Sequence, residues 1–279
     1  MNFTKMHGLG NDFILIEEDE IPLDLNLSDL AKKLCDRHFG IGANGLVIAA
    51  PSKKADAKMR IFNPDGSEAE MCGNAIRCFA KYLYERGKVK ETKMSVETLA
   101  GLVHPELKLE NSQVAAVCVD MGEPRFNPRD IPVNLEGQRI VSHPLRIENK
   151  EFLITCVSMG NPHCVIFTDN VKDEDLEKWG PIISEHPIFP QKTNVEFIQI
   201  IEPGHIRMRV WERGVGETLA CGTGACAAAV AGAVNRKCKR EVEVSLLGGN
   251  LFIQWNEKNN HVYMTGPAEE VFTGKLRSL

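Results

Sequence analysis

Short runs rich in β-branched residues, with apolar and polar positions alternating, recur along the chain. They are DFILIEE (12–18), GLVIAA (45–50), KMRIFN (58–63), QVAAVCVD (113–120), FLITCVS (152–158), VEFIQII (195–201), HIRMRVWER (205–213), EVEVSLL (241–247) and NLFIQW (250–255). A period near two places alternate side chains on opposite faces of a sheet, so each run predicts a strand. A helical period appears at 28–39, where Leu30, Leu34 and Cys35 share a face, Ser28 is the expected cap and Gly40 the expected stop. Two further helices are predicted after Cys72 and Cys221, both rich in Ala and Cys. In the second, CAAAVAGAV (226–234) is apolar on all sides, which predicts a helix buried within its domain. The pattern describes an α+β protein of two pseudo-symmetric domains, each an antiparallel sheet or barrel wrapped around a central buried helix.

The same pattern is written twice. Placing Cys72 on Cys221, 149 residues apart, also puts Gly73 on Gly222, Glu68 on Glu217 and RIF (60–62) on RVW (209–211). At a spacing of 150, Gly10-Asn11 in GLGNDFILI falls on Gly160-Asn161 in VSMGNPHCVIF, and Asn44 falls on Asn194. Three matches in one order at nearly one spacing indicate an internal duplication. The period is far longer than a solenoid unit, so the expectation is two related domains. The join is expected near DMGEPRFNP (120–128), where Gly and two Pro cluster. The first domain then spans 1–121 and carries Cys72, and the second spans 122–265 and carries Cys221.

Composition narrows the chemistry. The 279 residues are 43% hydrophobic and 25% charged, as in an ordinary globular protein with a full core. A net charge of -5 argues against a nucleic-acid or anionic-membrane partner. The start, MNFTKMHGLGND, lacks the basic-then-apolar layout of a signal peptide, and no apolar run approaches the roughly 20 residues that span a bilayer. Nine cysteines are scattered without a C-x-x-C pair or a matching His pair, so no metal site is expected. Free thiols suit a reducing, cytoplasmic setting. Cys35, Cys118, Cys156 and Cys238 read as structural, and Cys78 and Cys226 as apolar filler inside helices.

Cys72 and Cys221 stand apart because each is followed at once by Gly at a helix start. The first turn of a helix presents unpaired N–H groups and a positive dipole end, where a carboxylate is held well. The same field lowers the pKa of a thiol there and favours thiolate. With two such starts facing one ligand across a cleft, one thiolate removes an α-proton and the opposite thiol returns one, inverting the centre. The two thiols then titrate as one coupled system. Two thiols aimed at one carbon are also expected to oxidise to an inactive disulfide that dithiothreitol reverses.

The segments MHGLGNDF, FNPDGSEAEMCGNAIRC, VDMGEP, MGNPHCV, WERGVGETLACGTGACA and MTGPAEEVFTG closely resemble the diaminopimelate epimerase family, in order and over almost the whole chain. The resemblance implies interconversion of LL- and meso-diaminopimelate in lysine and peptidoglycan precursor synthesis, without pyridoxal phosphate or metal, by a homodimer. It also implies that residues 266–279 return to the first domain. It makes Cys72 and Cys221 the acid/base thiols, with Gly73, Asn74, Gly222 and Thr223 holding the reacting carboxylate. Asn11, Asn63, Asn161 and Asn194 would form a polar ring around the substrate. Arg213 would pair with the distal carboxylate and Glu212 with the distal ammonium, and His163 would tune the thiols. Some relatives carry Gln where this chain has Gly45, which leaves Asn44 or water to fill that place. A racemase of proline or hydroxyproline is the alternative within this chemistry, and Glu212 with Arg213 argues against it because such a substrate has no distal zwitterion. A thiol redox or metal-binding protein and a non-catalytic binding module are the readings from other classes.

Overall fold

The computed structural model describes residues 1–277. The chain divides into two units: Met1–Asp120 together with the segment from Thr265 onward, and Met121–Met264.

In the first unit β1 (Asn2–Gly8) and β2 (Asn11–Glu17) form a hairpin, and α1 (Leu27–Cys35) leads to β3 (Gly45–Ala50) and β4 (Ala57–Phe62). The short β5 (Glu68–Ala69) precedes α2 (Gly73–Glu85), followed by β6 (Val96–Thr98), β7 (Gly101–Val103), β8 (Glu106–Glu110) and β9 (Gln113–Asp120). The main sheet runs C-terminal strand (Glu269–Lys275), β1, β2, β3, β4, β6, β7, with β5 against β4. The hairpin turn at Leu9-Gly10 has φ of 57° and 83°, a left-handed pair that fits the twist of two-residue hairpins.

The second unit repeats this path. Its strands are β10 (His143–Ile147), β11 (Lys150–Ser158), β12 (Pro162–Phe167), β13 (Asn194–Glu202), β14 (His205–Glu212), β15 (Gly216–Thr218), β16 (Glu241–Leu246) and β17 (Gly249–Trp255), with α3 (Leu176–Ser184) and α4 (Gly222–Val234) between them. The order is β10, β11, β12, β13, β14, β16, β17, with β15 against β14. The chain then passes through β18 (Val262–Gly266) to β19, the C-terminal strand already placed beside β1. Most pairings are antiparallel, as expected, but each unit also contains two parallel ones at matching places. These are β2 with β3 and β4 with β6 in the first unit, and β12 with β13 and β14 with β16 in the second.

Helices α2 and α4 each have thirteen residues and lie 149 positions apart. Every residue from Asn74 to Leu83 and from Gly224 to Gly232 is buried. The Ala-rich α4 supplies small side chains, which let a helix lie close to the strands around it. Helix α2 differs in burying Arg77, whose Nη1 donates to Gly73 O at 3.1 Å and whose Nε donates to Pro267 O at 3.2 Å. The C-terminal return is thereby tied to the first turn of α2.

Two local expectations are corrected. Helix α1 ends at Cys35, not at 39, and its cap is Asn26, whose side chain accepts from Asp29 N at 3.2 Å, in place of Ser28. The Asp36 carboxylate accepts the N–H groups of His38 and Phe39, both at 2.7 Å. That local turn competes with continued helix. The match of Asn44 with Asn194 shifts by one residue as well. Leu46 pairs with Phe62 and Val195 with Trp211, each 149 apart, so Gly45 holds the sheet position of Asn194.

Candidate active site

Each predicted cysteine holds the N-cap position of its helix, and at Cys221 the sulfur itself accepts a helix-start N–H. Cys72 has extended backbone (φ -144°, ψ 120°) and its carbonyl accepts the first helical bond from Ile76 N at 2.9 Å. Cys221 does the same (φ -122°, ψ 112°), with Ala225 N at 3.0 Å. The hairpin leading into each helix is pinned by the same ion pair. Arg60 grips Glu68 at 2.7 and 3.0 Å, and Arg209 grips Glu217 at 2.7 and 2.9 Å. A guanidinium engaging both carboxylate oxygens fixes orientation as well as distance.

Around Cys72 the first unit gathers Asn11, Gly73 and Asn74. Asn74 Nδ2 donates to Asn11 Oδ1 at 3.0 Å, and Cys72 Sγ lies 4.0 Å from that same oxygen. Asn63 is engaged elsewhere. Its N–H and Nδ2 bond Ser67 O and Oγ at 2.8 and 2.9 Å, closing the turn after β4. Asn44 is also committed, because its Oδ1 accepts from Asp12 N at 3.2 Å and from Arg37 at 3.3 Å. No side chain fits at Gly45 without displacement, since a Cβ there would lie 3.1 Å from Phe62 O and 3.3 Å from the Phe13 ring.

The second unit joins its predicted residues into a continuous string. Cys221 Sγ accepts from Gly224 N at 3.3 Å and lies 3.5 Å from Thr223 Oγ1. Asn161 Nδ2 donates to Thr223 Oγ1 at 3.3 Å, and Asn161 Oδ1 lies 2.9 Å from His163 Nε2. His163 Nδ1 in turn lies 2.7 Å from Glu196 Oε1. Both members of this last pair are fully buried. His163 therefore reaches the thiol only through Asn161 and Thr223. Asn194 holds the loop, accepting from Arg213 N at 2.8 Å and donating to Pro162 O at 3.0 Å. The Arg213 guanidinium donates to Gln191 O at 3.0 Å, and Glu212 accepts from Thr218 Oγ1 at 2.5 Å.

The expectation that the helix field lowers the thiol pKa does not hold at Cys221. Burial pushes that thiol well above its ordinary value, and the charge of Glu212 pushes the same way. The Thr223 and Gly224 hydrogen bonds oppose them without prevailing. Glu196 is the residue that sequence reasoning passed over. Its signal was present: an acid in the middle of the apolar strand VEFIQII, where the sheet leaves no exposed face. Among the described residues, no cluster of three or more His, Cys, Asp and Glu is placed to hold a metal ion, and no helix is long and apolar enough to cross a membrane.

Two sheets of one topology, each wrapped on a helix that a cysteine caps, define a fold class found in solved structures. A PhzF-family phenazine biosynthesis protein from Bacillus anthracis superposes with a TM-score of 0.71 at 17% identity, covering 99% of this chain and 98% of that one. A probable proline racemase from Agrobacterium radiobacter gives 0.70 at 17% identity, covering 99% and 92%. A sequence model of the family Diaminopimelate epimerase matches residues 3–127 and 155–271. The diaminopimelate epimerase of Pelotomaculum thermopropionicum is 58% identical over 99% of this chain and 98% of its own length. That of Moorella thermoacetica is 53% identical over 98% of each chain. The chain belongs to the diaminopimelate epimerase family.

Proposed function

We propose that this chain interconverts LL- and meso-diaminopimelate by proton transfer at the α-carbon, with Cys72 and Cys221 as the two acid/base groups. The observation that carries the assignment of residues is the equivalence of two cysteine-capped helix starts within a chain of this family. Proton removal leaves a carbanion-like centre beside a carboxylate, and the helix-start N–H groups at Gly73, Asn74, Gly222 and Thr223 suit that developing charge. One thiolate takes the proton while the other group, as a thiol, supplies the new one, and the roles exchange in reverse. Since burial favours the neutral form of Cys221, the proton-donor form is its resting state.

Asn11, Asn63, Asn161 and Asn194 are the polar groups proposed around the substrate, all four pre-ordered by bonds within their own unit. Glu212 takes the distal ammonium and Arg213 the distal carboxylate. That pairing favours a diamino diacid over proline or hydroxyproline. The likeness to proline racemase, at 17% identity, concerns the fold alone. The working form is a cytoplasmic homodimer using no cofactor.

The test is isotope exchange. LL-diaminopimelate in D2O, without added pyridoxal phosphate, is expected to gain deuterium at the α-carbon as the meso isomer forms. Cys72→Ser and Cys221→Ser should each slow epimerisation by about 10²–10⁴-fold, the usual weight of a positioned acid or base. Full activity in either variant would remove that cysteine from the mechanism. Exchange with proline and not with diaminopimelate would move the substrate assignment.

A further inference from the structure

The two-thiol reading and the grip on a diamino diacid leave Glu196 without a role, yet it occupies a costly place. It is 0% exposed, and its Oε2 has no hydrogen-bond partner among the described residues. The first turn of α4 rests on its other oxygen: a Cβ added to Gly224 would lie 2.9 Å from Glu196 Oε1. A buried, half-satisfied acid of this kind is destabilising by itself. Replacing it with a hydrocarbon side chain would remove that penalty but leave the buried His163 Nδ1 without its partner.

The polarity of the hydrogen-bond string shows what the acid does. Asn161 Nδ2 donates to Thr223, so Asn161 Oδ1 is left to accept, and the group facing it is His163 Nε2. That nitrogen must carry a proton. Glu196 faces the other ring nitrogen at 2.7 Å. A carboxylate at this point would leave a bare charged oxygen in the core, whereas a carboxylic acid can donate to Nδ1 and leave no charge. Burial acts in that sense, raising the Glu196 carboxyl; His163 opposes it and the charge of Glu212 adds to it.

We propose that Glu196 is a positioning residue: as a neutral acid it donates to His163 Nδ1, holds the ring in its Nε2–H form, and through Asn161 aims the Thr223 hydroxyl at Cys221 sulfur. The thiolate, when it forms, then meets two donors, Thr223 O–H and Gly224 N–H. Among the described residues the first unit has no imidazole–carboxyl pair at the matching positions. Sheet register places Phe13 where the second unit has His163 and Val47 where it has Glu196, so the device serves Cys221 alone.

The inference rests on the two-thiol reading and is tested with Glu196→Gln and Glu196→Leu. A glutamine amide can still donate to Nδ1, so Glu196→Gln should keep kcat within about threefold, while Glu196→Leu should lower kcat about 10–100-fold with KM little changed. Glutamine should leave the melting temperature near that of the parent protein, and leucine, which exchanges a buried acid for an unpaired ring nitrogen, should shift it only slightly. The second readout is the pH midpoint for iodoacetamide labelling of Cys221 in a Cys72→Ser background. It should rise with Leu and hold with Gln, with the charge of Glu212 acting on the sulfur in every variant. The midpoint of Cys72 in a Cys221→Ser background should move with neither.

Unchanged kcat in Glu196→Leu overturns the proposal. So does a glutamine variant as impaired as leucine, which would mean that the carboxylate charge is needed. A loss that follows the melting temperature and also shifts Cys72 would make the role structural. If the leucine variant does not fold, Glu196→Gln decides alone, and kcat below about a tenth of the parent value overturns the inference. Full epimerisation by both Cys→Ser variants would instead overturn the two-thiol reading.

Discussion

Cys72 and Cys221 occupy the same place in two copies of one topology, and the residues behind them differ. In the second unit His163 and Glu196 are joined to the Cys221 sulfur through Asn161 and Thr223, while Asn194 holds the loop at Pro162 and Arg213. In the first unit the same sheet positions hold Phe13, Gly45 and Val47, and Asn11 accepts from Asn74 and lies 4.0 Å from the Cys72 sulfur. The copied backbone delivers two helix starts of like geometry. Side chains at two register positions, His163 and Glu196, then make one thiol the end of a hydrogen-bond string where the other unit carries Phe13 and Val47. Two chemically distinct groups suit a reaction in which one thiol must give a proton while the other takes it.

What the halves share can be tested as directly as what they do not, and the largest effect is expected at the repeated ion pair. Arg60 and Arg209 each grip their glutamate twice, but Arg209 also donates to Glu174 O at 2.9 Å and Val171 O at 3.2 Å. Arg209→Ala should therefore cost about 2–4 kcal/mol of unfolding free energy and Arg60→Ala about 1–2 kcal/mol, measured by denaturant titration at pH 7. Equal costs would mean that the carbonyl contacts add nothing. The sign with pH follows from Glu68, whose carboxyl is held below its ordinary value by its hydrogen bond to Arg60, against a smaller opposing effect of burial. Its folded pKa is depressed, so the pair's contribution is present above the unfolded value and fades as pH falls through the folded one. The gap between parent and Arg60→Ala should narrow below about pH 4.

These pairs also mark how much the sequence disclosed. Arg60 and Arg209 lie in RIF and RVW, and Glu68 and Glu217 in the matched stretches before each cysteine, so the repeat was legible down to individual charges. The nine alternating runs all became strands, since a half-buried sheet writes its period into the chain. Helix α3 was not legible. Gly180 and Pro181 lie inside it, and both are poor helix formers. Tertiary packing overrides that local preference: a Cβ at Gly180 would lie 2.5 Å from the Trp211 ring, so glycine lets the helix sit against it. The shift of Asn44 to Gly45 was hidden for another reason. Two asparagines near one spacing look alike in a string, and only strand pairing separates neighbours one residue apart.

Gly45 offers a way to sharpen the contrast. Gly45→Asn would install the residue that the second unit carries at this register position, but its Cβ meets Phe62 O at 3.1 Å and the Phe13 ring at 3.3 Å. Overpacking of this kind should cost about 1–3 kcal/mol in thermal unfolding. If the Phe13 ring is what excludes a side chain, Phe13→Ala with Gly45→Asn should lose less than the sum of the two single changes. Strict additivity would assign the exclusion to the Phe62 carbonyl.

The smallest effect is read from the thiols themselves. The thiolate is the species that alkylates, and its supply depends on pKa and access. Cys72 is half-buried, whereas Cys221 is 4% exposed and is pushed well above its ordinary pKa by burial and by the charge of Glu212. At pH 8 iodoacetamide should therefore label Cys72 at least about tenfold faster than Cys221, as followed by peptide mass spectrometry. Cys78 is an internal control, since burial pushes its thiol to about 12 and it should remain unlabelled in the folded protein. Below its raised pKa, the Cys221 thiolate fraction, and with it the labelling rate, should climb about tenfold per pH unit. Equal labelling of the two cysteines at pH 8 would mean that Thr223 and Gly224 outweigh burial. Cys221, not Cys72, would then have to be considered the group that rests as thiolate.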